Sequence, residues 1–524
     1  MNTPDPVCLI VPPSSFLLDE RVFVNLGILK IAAVLEDADC QVEIVDLSGV
    51  KNFLKVLSIH LASSRARIFG ITATTPQMPQ ITAITETIRS HCVNSKIIIG
   101  GPHVTLVHTA VKKELAKNIY SRACKEFDSL KRISDVLVSG DGEKAIFLAM
   151  EENSPRIIDA DIRNSPLFIS NSEFDKGVFP ARHLIDMSSY RYTIDGLDAT
   201  SVIGQLGCPF SCGFCGGRES PCLRIARIRT VQSITEEIRN IYNTYHYTGF
   251  MFYDDELNVN PHFLELLYSL SDLQEELGVS FHLRGFVKSE LFNELQAKEM
   301  YRAGFRWILS GFESGAPRIL SNIRKRATVD DNTACVRTAH KYGLKVKALM
   351  SLGHPGESHE TIKQTRDWLI KTGPDDFDAT IITPYPGTAY YDHAAEHPDN
   401  KGVWIYTIPE NGDRLYNYET DYSRTAVFYK GDPDNGYRAF TYTDYLSSDE
   451  LISQRSATEL QVRAALGIPF NPGRAALQYD HSMGQRSSLP DFIVRSTYKT
   501  SELEPFVRPH PGSKQPDLPR RWEV

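Results

Sequence analysis

The chain has 524 residues, of which 42% are hydrophobic and 23% charged, with a net charge of −8. At about 150 residues per domain this predicts three or four globular domains, and it excludes whole-chain disorder, collagen and coiled coil. No basic block offers nucleic acid a footprint, no run approaches roughly 18 apolar residues, and MNTPDPVCLIVPPSS lacks the basic and apolar regions of a secretory signal, so the expectation is a soluble, cytoplasmic protein with no nucleic-acid partner and no membrane span.

Residues 1–150 alternate short apolar strands with helical patterns. Strands are predicted at Val7–Val11, Val42–Asp46, Ile68–Thr72, Lys96–Ile99 and Val136–Ser139, and helices at Gly27–Leu35 and Ile81–Cys92. That rhythm predicts a doubly wound, Rossmann-like parallel sheet. Ligands bind such sheets beyond the carboxyl ends of the strands, where Thr72–Thr75, Gly100–His103 and Gly140–Glu143 fall. No G-x-G-x-x-G follows the first strand, so a dinucleotide fingerprint is missing.

Residues 151–198 show weak periodicity and are expected to form a connector. A second βα series follows over residues 199–394, with strands expected at Ser201–Gln205, Gly249–Tyr253, Val279–Leu283, Trp307–Ser310, Val346–Ser351 and Ala379–Thr383. Its first helix carries a predicted capping box, Ser233 with Glu236, and an apolar face of Ile234, Ile238, Ile241, Tyr242 and Tyr245. Six units predict a partial (βα)6 barrel, because a closed eight-unit barrel takes about 250 residues. Residues 395–504 turn aromatic and polar and are expected to form a C-terminal extension. Residues 505–524, rich in proline and charge, are expected to be a flexible tail.

Nine cysteines with no secretory signal argue against a disulfide framework. Most stand among apolar residues as small hydrophobes, and Cys222 is expected to be one of these. Cys208, Cys212 and Cys215 differ, being spaced C-x3-C-x2-C directly after the first strand of the second series. Clustered thiolates suit zinc or an iron–sulfur cluster. Spacing alone leaves both readings open, with Cys222 available as a fourth zinc ligand. The placement at the carboxyl end of a barrel strand favours catalysis.

The cysteine run, with Phe214 at its aromatic position, resembles the signature of the radical S-adenosylmethionine (SAM) superfamily. Later strand ends carry Tyr253–Asn258, Arg284, Gly311–Gly315 and Gly353–Ser358. Together with Phe179–Leu184 in the connector, and with Gly100–His103 and Gly140–Glu143, these resemble the cobalamin-binding branch. That branch includes anaerobic magnesium-protoporphyrin monomethyl ester cyclase and radical SAM C-methyltransferases. The likeness covers about residues 5–390.

The resemblance implies that Cys208, Cys212 and Cys215 hold a [4Fe-4S] cluster and SAM occupies its open iron. Asp254, Asp255 and Glu256 would receive the SAM amino group and Arg284 a carboxylate, a surface ion pair being the competing reading for Arg284. Glu313 and Ser314 would accept the ribose hydroxyls, and Gly353 would line the adenine side. Cobalamin would lie against Thr72, Gly100, Gly101, Gly140, Gly142 and Glu143. The first loop, Pro12–Arg21, lacks the D-x-H-x-x-G histidine that ligates cobalt in other cobalamin proteins. His103 and His354 are expected to be loop hydrogen-bonders, and Tyr385 to stand near the substrate or simply to pack.

The implied activity is cleavage of SAM to a 5′-deoxyadenosyl radical for C-methylation of an unactivated carbon in a specialised metabolite. Cyclisation, oxidation or rearrangement without methyl transfer is the alternative, and a non-catalytic corrinoid or zinc protein the distant one. The implied partners are a small-molecule or peptide substrate and an electron donor such as flavodoxin or ferredoxin.

Overall fold

The computed structural model describes residues 6–14, 20–217, 219–426 and 437–468. The expected tail at 505–524, residues 427–436 and 469–504 of the extension, and Ser15–Asp19 of the first loop lie outside the described residues.

Strands β1 (Val7–Val11), β2 (Val42–Asp46), β3 (Ile68–Thr72), β4 (Lys96–Gly100), β5 (Val136–Ser139) and β6 (Ile157–Asp159) form one parallel sheet in the order β2-β1-β3-β4-β5-β6. Cys8, Ile10, Val45 and Phe69 face one apolar layer, shared with the helices Phe53–Ser63 and Met78–His91. Val7, Leu9, Val11 and Ile44 face the other, shared with Leu26–Asp37. Burial on both faces is why these strands read as continuous apolar runs. The strand order reverses between β1 and β3, which opens a crevice at the carboxyl ends.

The connector carries β6 and a string of short turns. Its Arg182 is buried, donates to the Ser201 carbonyl at 2.8 Å and pairs with Glu237 at 2.7 Å, fastening the connector to the second unit.

That unit begins with a hairpin, β7 (Thr193–Ile194) and β8 (Leu197–Val202), followed by a small antiparallel pair, β9 (Gln205–Leu206) with β10 (Arg227–Ile228). Then come β11 (Gly249–Phe252), β12 (His282–Phe286), β13 (Phe305–Glu313), β14 (Lys345–Leu352) and β15 (Asp376–Ile381). The sheet order is β15-β14-β13-β12-β11-β8-β7, parallel from β8 through β15, giving a six-unit partial barrel whose β15 edge meets no further strand among the described residues.

Several expected boundaries shift. The strand expected at Ser201–Gln205 is two, ending at Val202 and resuming at Gln205, and the one expected at Ala379–Thr383 starts at Asp376. The strand expected at Val279–Leu283 runs from His282 to Phe286, because left-handed Gly278 ends the helix Phe263–Leu277 and the Val279 N–H turns back to the Gln274 carbonyl. Ser233 and Glu236 form no capping box. The helix starts earlier, at Val231, with Thr230 accepting from the Ser233 N–H, and the Ser233 hydroxyl takes the Arg229 guanidinium instead.

The region after 395 contributes an antiparallel sheet, β16 (Ala395–Glu396), β17 (Val403–Thr407), β18 (Arg414–Tyr418) and β19 (Thr441–Thr443), and a helix, Ser448–Leu466. This helix closes the open barrel edge with side chains. Arg455 Nε donates to the Ala379 carbonyl at 2.7 Å, the Ala379 N–H donates to Glu459 at 3.2 Å, and Arg463 Nη2 donates to the Phe377 carbonyl at 2.6 Å. The Ile381 N–H donates to Tyr437 Oη at 2.8 Å. The outward backbone groups of β15 are thus satisfied without another strand, as a buried edge requires.

Candidate active site

The cysteine loop leaves β9 through Gly207, whose φ of +85° is left-handed, a conformation glycine adopts without strain. The Gly213 N–H donates to the Ile323 carbonyl at 2.9 Å and the Cys215 N–H to the Cys212 carbonyl at 3.3 Å. Burial raises the thiols of Cys208 and Cys215 to about 11 and about 12, and neighbouring sulfurs of the trio add to both. Burial also raises Cys212, with Lys325 opposing. Three thiols raised by burial call for a cation to become thiolates.

A single zinc would place its sulfurs about 3.8 Å apart, from zinc–sulfur bonds of about 2.3 Å. Among the described residues the cysteine trio is not one of the donor groups that converge within 4.8 Å. The three sulfurs therefore do not all lie as close together as the ligands of a single ion would. Cys222 is no fourth ligand. It is buried, its sulfur meets Ser220 Oγ at 3.3 Å, and its N–H donates to Asp161.

The acidic trio after β11 divides its work. Asp254 is buried and accepts from the Gly204 N–H at 2.7 Å, while Asp255 accepts from the Gly207 N–H at 2.8 Å. Both carboxylates therefore pin the approach to the cysteine loop. Asp254 Oδ2 and Glu256 Oε2 are buried without a hydrogen-bond partner. Burial pushes both carboxyls up to about 7, offset at Asp254 by the Gly204 and Gln205 N–H groups and at Glu256 by Lys325 and Lys288. Buried acceptors left open beside the cysteines are the chemistry a ligand ammonium requires.

Glu313 ends β13 at a register shift with φ +63°, strained for a residue with a side chain. Its carboxylate takes Lys325 Nζ at 3.1 Å and Ser351 Oγ at 2.6 Å. Because Ser351 gives its proton to Glu313, His354 Nε2, 2.7 Å away, donates to Ser351. The other ring nitrogen faces Tyr390 Oη at 3.4 Å, and burial holds His354 down at about 3, so the ring is neutral. Phe214 packs edge-on against His354 at 5.3 Å, tying this relay to the cysteine loop. His354 is accordingly a loop hydrogen-bonder, whereas His103 lies not in a loop but in the first turn of the helix Pro102–Ala116, buried between Thr75 and Glu126.

Three expected site residues are otherwise engaged. The Ser314 hydroxyl bonds Thr365 Oγ1 at 2.9 Å and accepts from the Ala316 N–H at 3.1 Å. The Gly353 N–H donates to the Glu357 carboxylate at 3.2 Å, within a closed turn. Arg284 is buried 5.5 Å over the Trp307 ring, which rules out a surface ion pair, and it does not line the cavity described next. Tyr385 packs against the apolar layer under the N-terminal sheet. Sequence reasoning missed Lys325, Lys288 and Tyr390. Lys325 lies in the run Ile323-Arg324-Lys325-Arg326, whose only local signal is that of a solvated basic turn.

A cavity of about 690 Å³ lies between the two parallel sheets. Thr72, Gly100, Gly101, Gly140, Gly142 and Glu143 line it from the N-terminal sheet, and Gly207, Asp254 and Asp255 from the barrel mouth. Gly101 and Gly140 have φ of +96° and +92°, and a Cβ on either would stand 2.9 Å and 2.6 Å from backbone nitrogens of Ala73 and Asp161. Such turns admit a large planar ligand against bare backbone. Arg227 on β10 meets Asp141 through both guanidinium nitrogens, at 2.5 and 3.1 Å, bracing the two walls. None of the described lining residues is a histidine.

Among the described residues, no helix is long and apolar enough to cross a membrane. The Radical SAM superfamily profile matches residues 202–369 and the B12 binding domain profile residues 20–120. An uncharacterized methyltransferase of Pyrococcus horikoshii is 29% identical over 397 residues, covering 74% of this chain and 83% of its own. Anaerobic magnesium-protoporphyrin IX monomethyl ester cyclase of Cereibacter sphaeroides is 23% identical over 400 residues, 71% of this chain and 59% of its own length. In fold, the chain is similar to the radical SAM methyltransferase TsrM of Kitasatospora setae at TM-score 0.61 and 16% identity, covering 92% and 96% of the two chains. It is also similar to the cobalamin-dependent SAM radical enzyme OxsB at TM-score 0.54 and 16% identity, over 72% and 53%. The chain combines a radical SAM domain with a B12 binding domain, as the cobalamin-dependent radical SAM enzymes it resembles do, and its cofactors are a [4Fe-4S] cluster, SAM and cobalamin.

Proposed function

We propose that this enzyme methylates an unactivated carbon of a small-molecule or peptide substrate. The observation that carries the reading is the shared cavity: glycine turns from the B12-binding sheet and carboxylates from the barrel mouth line one recess. A methyl donor and a substrate-activating site opening on the same space meet the proximity requirement of group transfer.

In this reading Cys208, Cys212 and Cys215 hold the cluster. Asp254 Oδ2 and Glu256 Oε2, both without partners, receive the SAM ammonium. Lys325 and Lys288 balance the surrounding carboxylates, and Glu313, with lone pairs beyond those Lys325 and Ser351 occupy, accepts from the ribose. Ser314 acts through its Thr365 bond, positioning the turn that Glu313 begins. Thr72, Gly100, Gly101, Gly140, Gly142 and Glu143 seat the corrinoid against backbone. Tyr253 and Phe286, edge to face at 6.3 Å, wall the recess on the barrel side and exclude water from the substrate.

When bound, the cluster supplies the electron that cleaves SAM, and cobalamin supplies the transferable methyl group. A one-electron donor of the flavodoxin or ferredoxin type would reduce the cluster in the cell. The test is an anaerobic reaction of the reconstituted enzyme with deuterated-methyl SAM and cell extract, read by mass spectrometry. Methylation predicts a deuterium-labelled product with 5′-deoxyadenosine and S-adenosylhomocysteine in about equal amounts. Formation of 5′-deoxyadenosine with an unlabelled product overturns methyl transfer in favour of cyclisation or oxidation.

A further inference from the structure

A second cluster of soft and borderline donors lies in the N-terminal sheet, away from the cavity. Cys8 on β1 and Glu43 on β2 are register partners on adjacent strands. His60, in the last turn of the helix Phe53–Ser63, reaches down between them. His60 Nε2 stands 3.7 Å from Cys8 Sγ and 3.1 Å from Glu43 Oε2, and all three donor atoms lie within 4.8 Å of one another. Cys8 and His60 are buried and Glu43 is nearly so.

We propose that Cys8, Glu43 and His60 form a structural zinc site that joins β1, β2 and the helix between β2 and β3. Tetrahedral zinc, with bonds of about 2.3 Å to sulfur and about 2.0 Å to nitrogen and oxygen, sets sulfur and nitrogen about 3.5 Å apart and nitrogen and oxygen about 3.3 Å apart. Both observed separations fall within about 0.2 Å of those values. The cysteine trio of the barrel has no such convergence, so the two sulfur sites differ in the size of what they fit.

Charge favours the same reading. One thiolate, one carboxylate and a neutral imidazole neutralise a divalent cation, so the occupied site places no net charge in the apolar layer. Without a cation, burial first and then Glu43 and Cys92 raise the Cys8 thiol, leaving it a protonated neighbour of a polar pair. Ser64 Oγ donates to Glu43 Oε2 at 2.7 Å, the kind of outer hydrogen bond that orients a ligating carboxylate. Sulfur, nitrogen and oxygen donors converging on one point suit zinc over magnesium or calcium, which take oxygen. None of the three residues lines the cofactor cavity, so the site clamps the sheet and takes no part in methyl transfer.

The experiment uses the full chain with its cluster reconstituted, so that iron occupies the barrel cysteines, and counts zinc and iron separately by plasma mass spectrometry after dialysis against excess zinc and then buffer. The expected result is about one zinc beside about four iron per chain. Zinc K-edge absorption should show one sulfur at about 2.3 Å with nitrogen and oxygen neighbours. Cys8→Ser should abolish the zinc–sulfur signal, and His60→Gln should abolish zinc retention, both keeping iron. If either variant fails to fold, the wild-type spectrum alone decides. A wild-type chain that retains no zinc, or whose zinc shows no sulfur neighbour, overturns the proposal and leaves an imidazole–carboxylate pair beside an ordinary buried thiol. Zinc retained unchanged in both variants overturns it equally. Loss of zinc with iron intact leaves the radical SAM reading untouched, and loss of iron with zinc intact would do the reverse.

Discussion

Lys325→Met tests the electrostatics of the proposed SAM site most directly. Lys325 is buried, 3.1 Å from Glu313 Oε1, and its charge is the larger of the two that oppose the rise of Glu256. Burial works against its own charge, but Glu313 and Glu256 outweigh that and raise it, so it stays an ammonium. Replacing it with an isosteric apolar chain leaves Lys288 as the remaining cation acting on Glu256. Loss of one close charge moves a carboxyl by on the order of one to two units, which lifts Glu256 from about 7 well into the alkaline range. At pH 7 the wild-type carboxyl is then about half ionised and the variant's a tenth or less. If the carboxylate form receives the SAM ammonium, affinity at pH 7 falls about five- to fiftyfold.

The pH profile carries the sign. Wild-type affinity for SAM should rise through pH 7 as Glu256 ionises, and the variant's rise should be displaced to higher pH. Stability follows the same logic. A carboxyl raised in the folded state favours folding most below its unfolded value and loses that contribution as pH climbs through about 7, so in Lys325→Met the loss extends to higher pH. The assay is equilibrium dialysis of labelled SAM against the iron-loaded chain between pH 6 and 9, with iron content checked because Lys325 also opposes the rise of Cys212. Lys325→Arg should restore both affinity and profile. Equal SAM binding by Lys325→Met at pH 7, at equal iron content, would refute the assignment. An affinity loss that does not depend on pH would instead place Lys325 itself on the ligand.

Two further perturbations address the scaffold and the cobalamin wall. Glu459→Gln removes the only carboxylate that meets both Arg455 and Arg463 among the described residues, and breaking a buried ion pair from one side costs about 3–5 kcal/mol. Hydrogen exchange of the peptide spanning β15 should quicken on the order of a hundred- to a thousandfold, and unchanged protection would show that the helix is not what closes the edge. Gly140→Ala places a Cβ 2.6 Å from the Asp161 nitrogen at a left-handed position, costing about 1–3 kcal/mol and displacing the turn from the cavity. Gly196→Ala, equally left-handed with nothing within 4 Å, is the control. After gel filtration the Gly140 variant should lose cobalamin absorbance while its iron is kept, and equal retention by both would remove this turn from the corrinoid site.

What was legible in the sequence divides along a physical line. The strands VCLIV, VEIVD and IFGIT were readable to the residue because both of their faces are buried and apolar. The barrel strands blurred because their inner face is polar. LDATSV in β8 and HLRGF in β12 place Ser201 and Arg284 inside, which erases the apolar run and shifts the expected starts by several residues. The cysteines were legible because cluster ligation is encoded in local spacing. The acidic trio was found for its charge, but its division of labour was hidden. The N–H groups that Asp254 and Asp255 accept from sit 50 and 48 residues earlier. In the same way, Ser314 looks free until Thr365 meets it from the helix His359–Thr372.

The least legible parts are the ones that set one unit against another. The helix SDELISQRSATELQVRAAL has the composition of a solvated surface helix, yet Arg455, Glu459 and Arg463 are fully buried. Their partners are backbone groups of a strand edge, which have no side-chain signature at all. Arg227 with Asp141, and Arg182 with Glu237, join the sheet and connector to the barrel in the same fashion. Each is a buried charge whose desolvation is tolerable only when its partner is in place. These pairs therefore specify how the two sheets approach one another, and with that the width of the recess between the glycine turns and Asp254. A sequence can announce each cofactor separately, whereas the distance between them is decided by arginines that, read alone, look like surface.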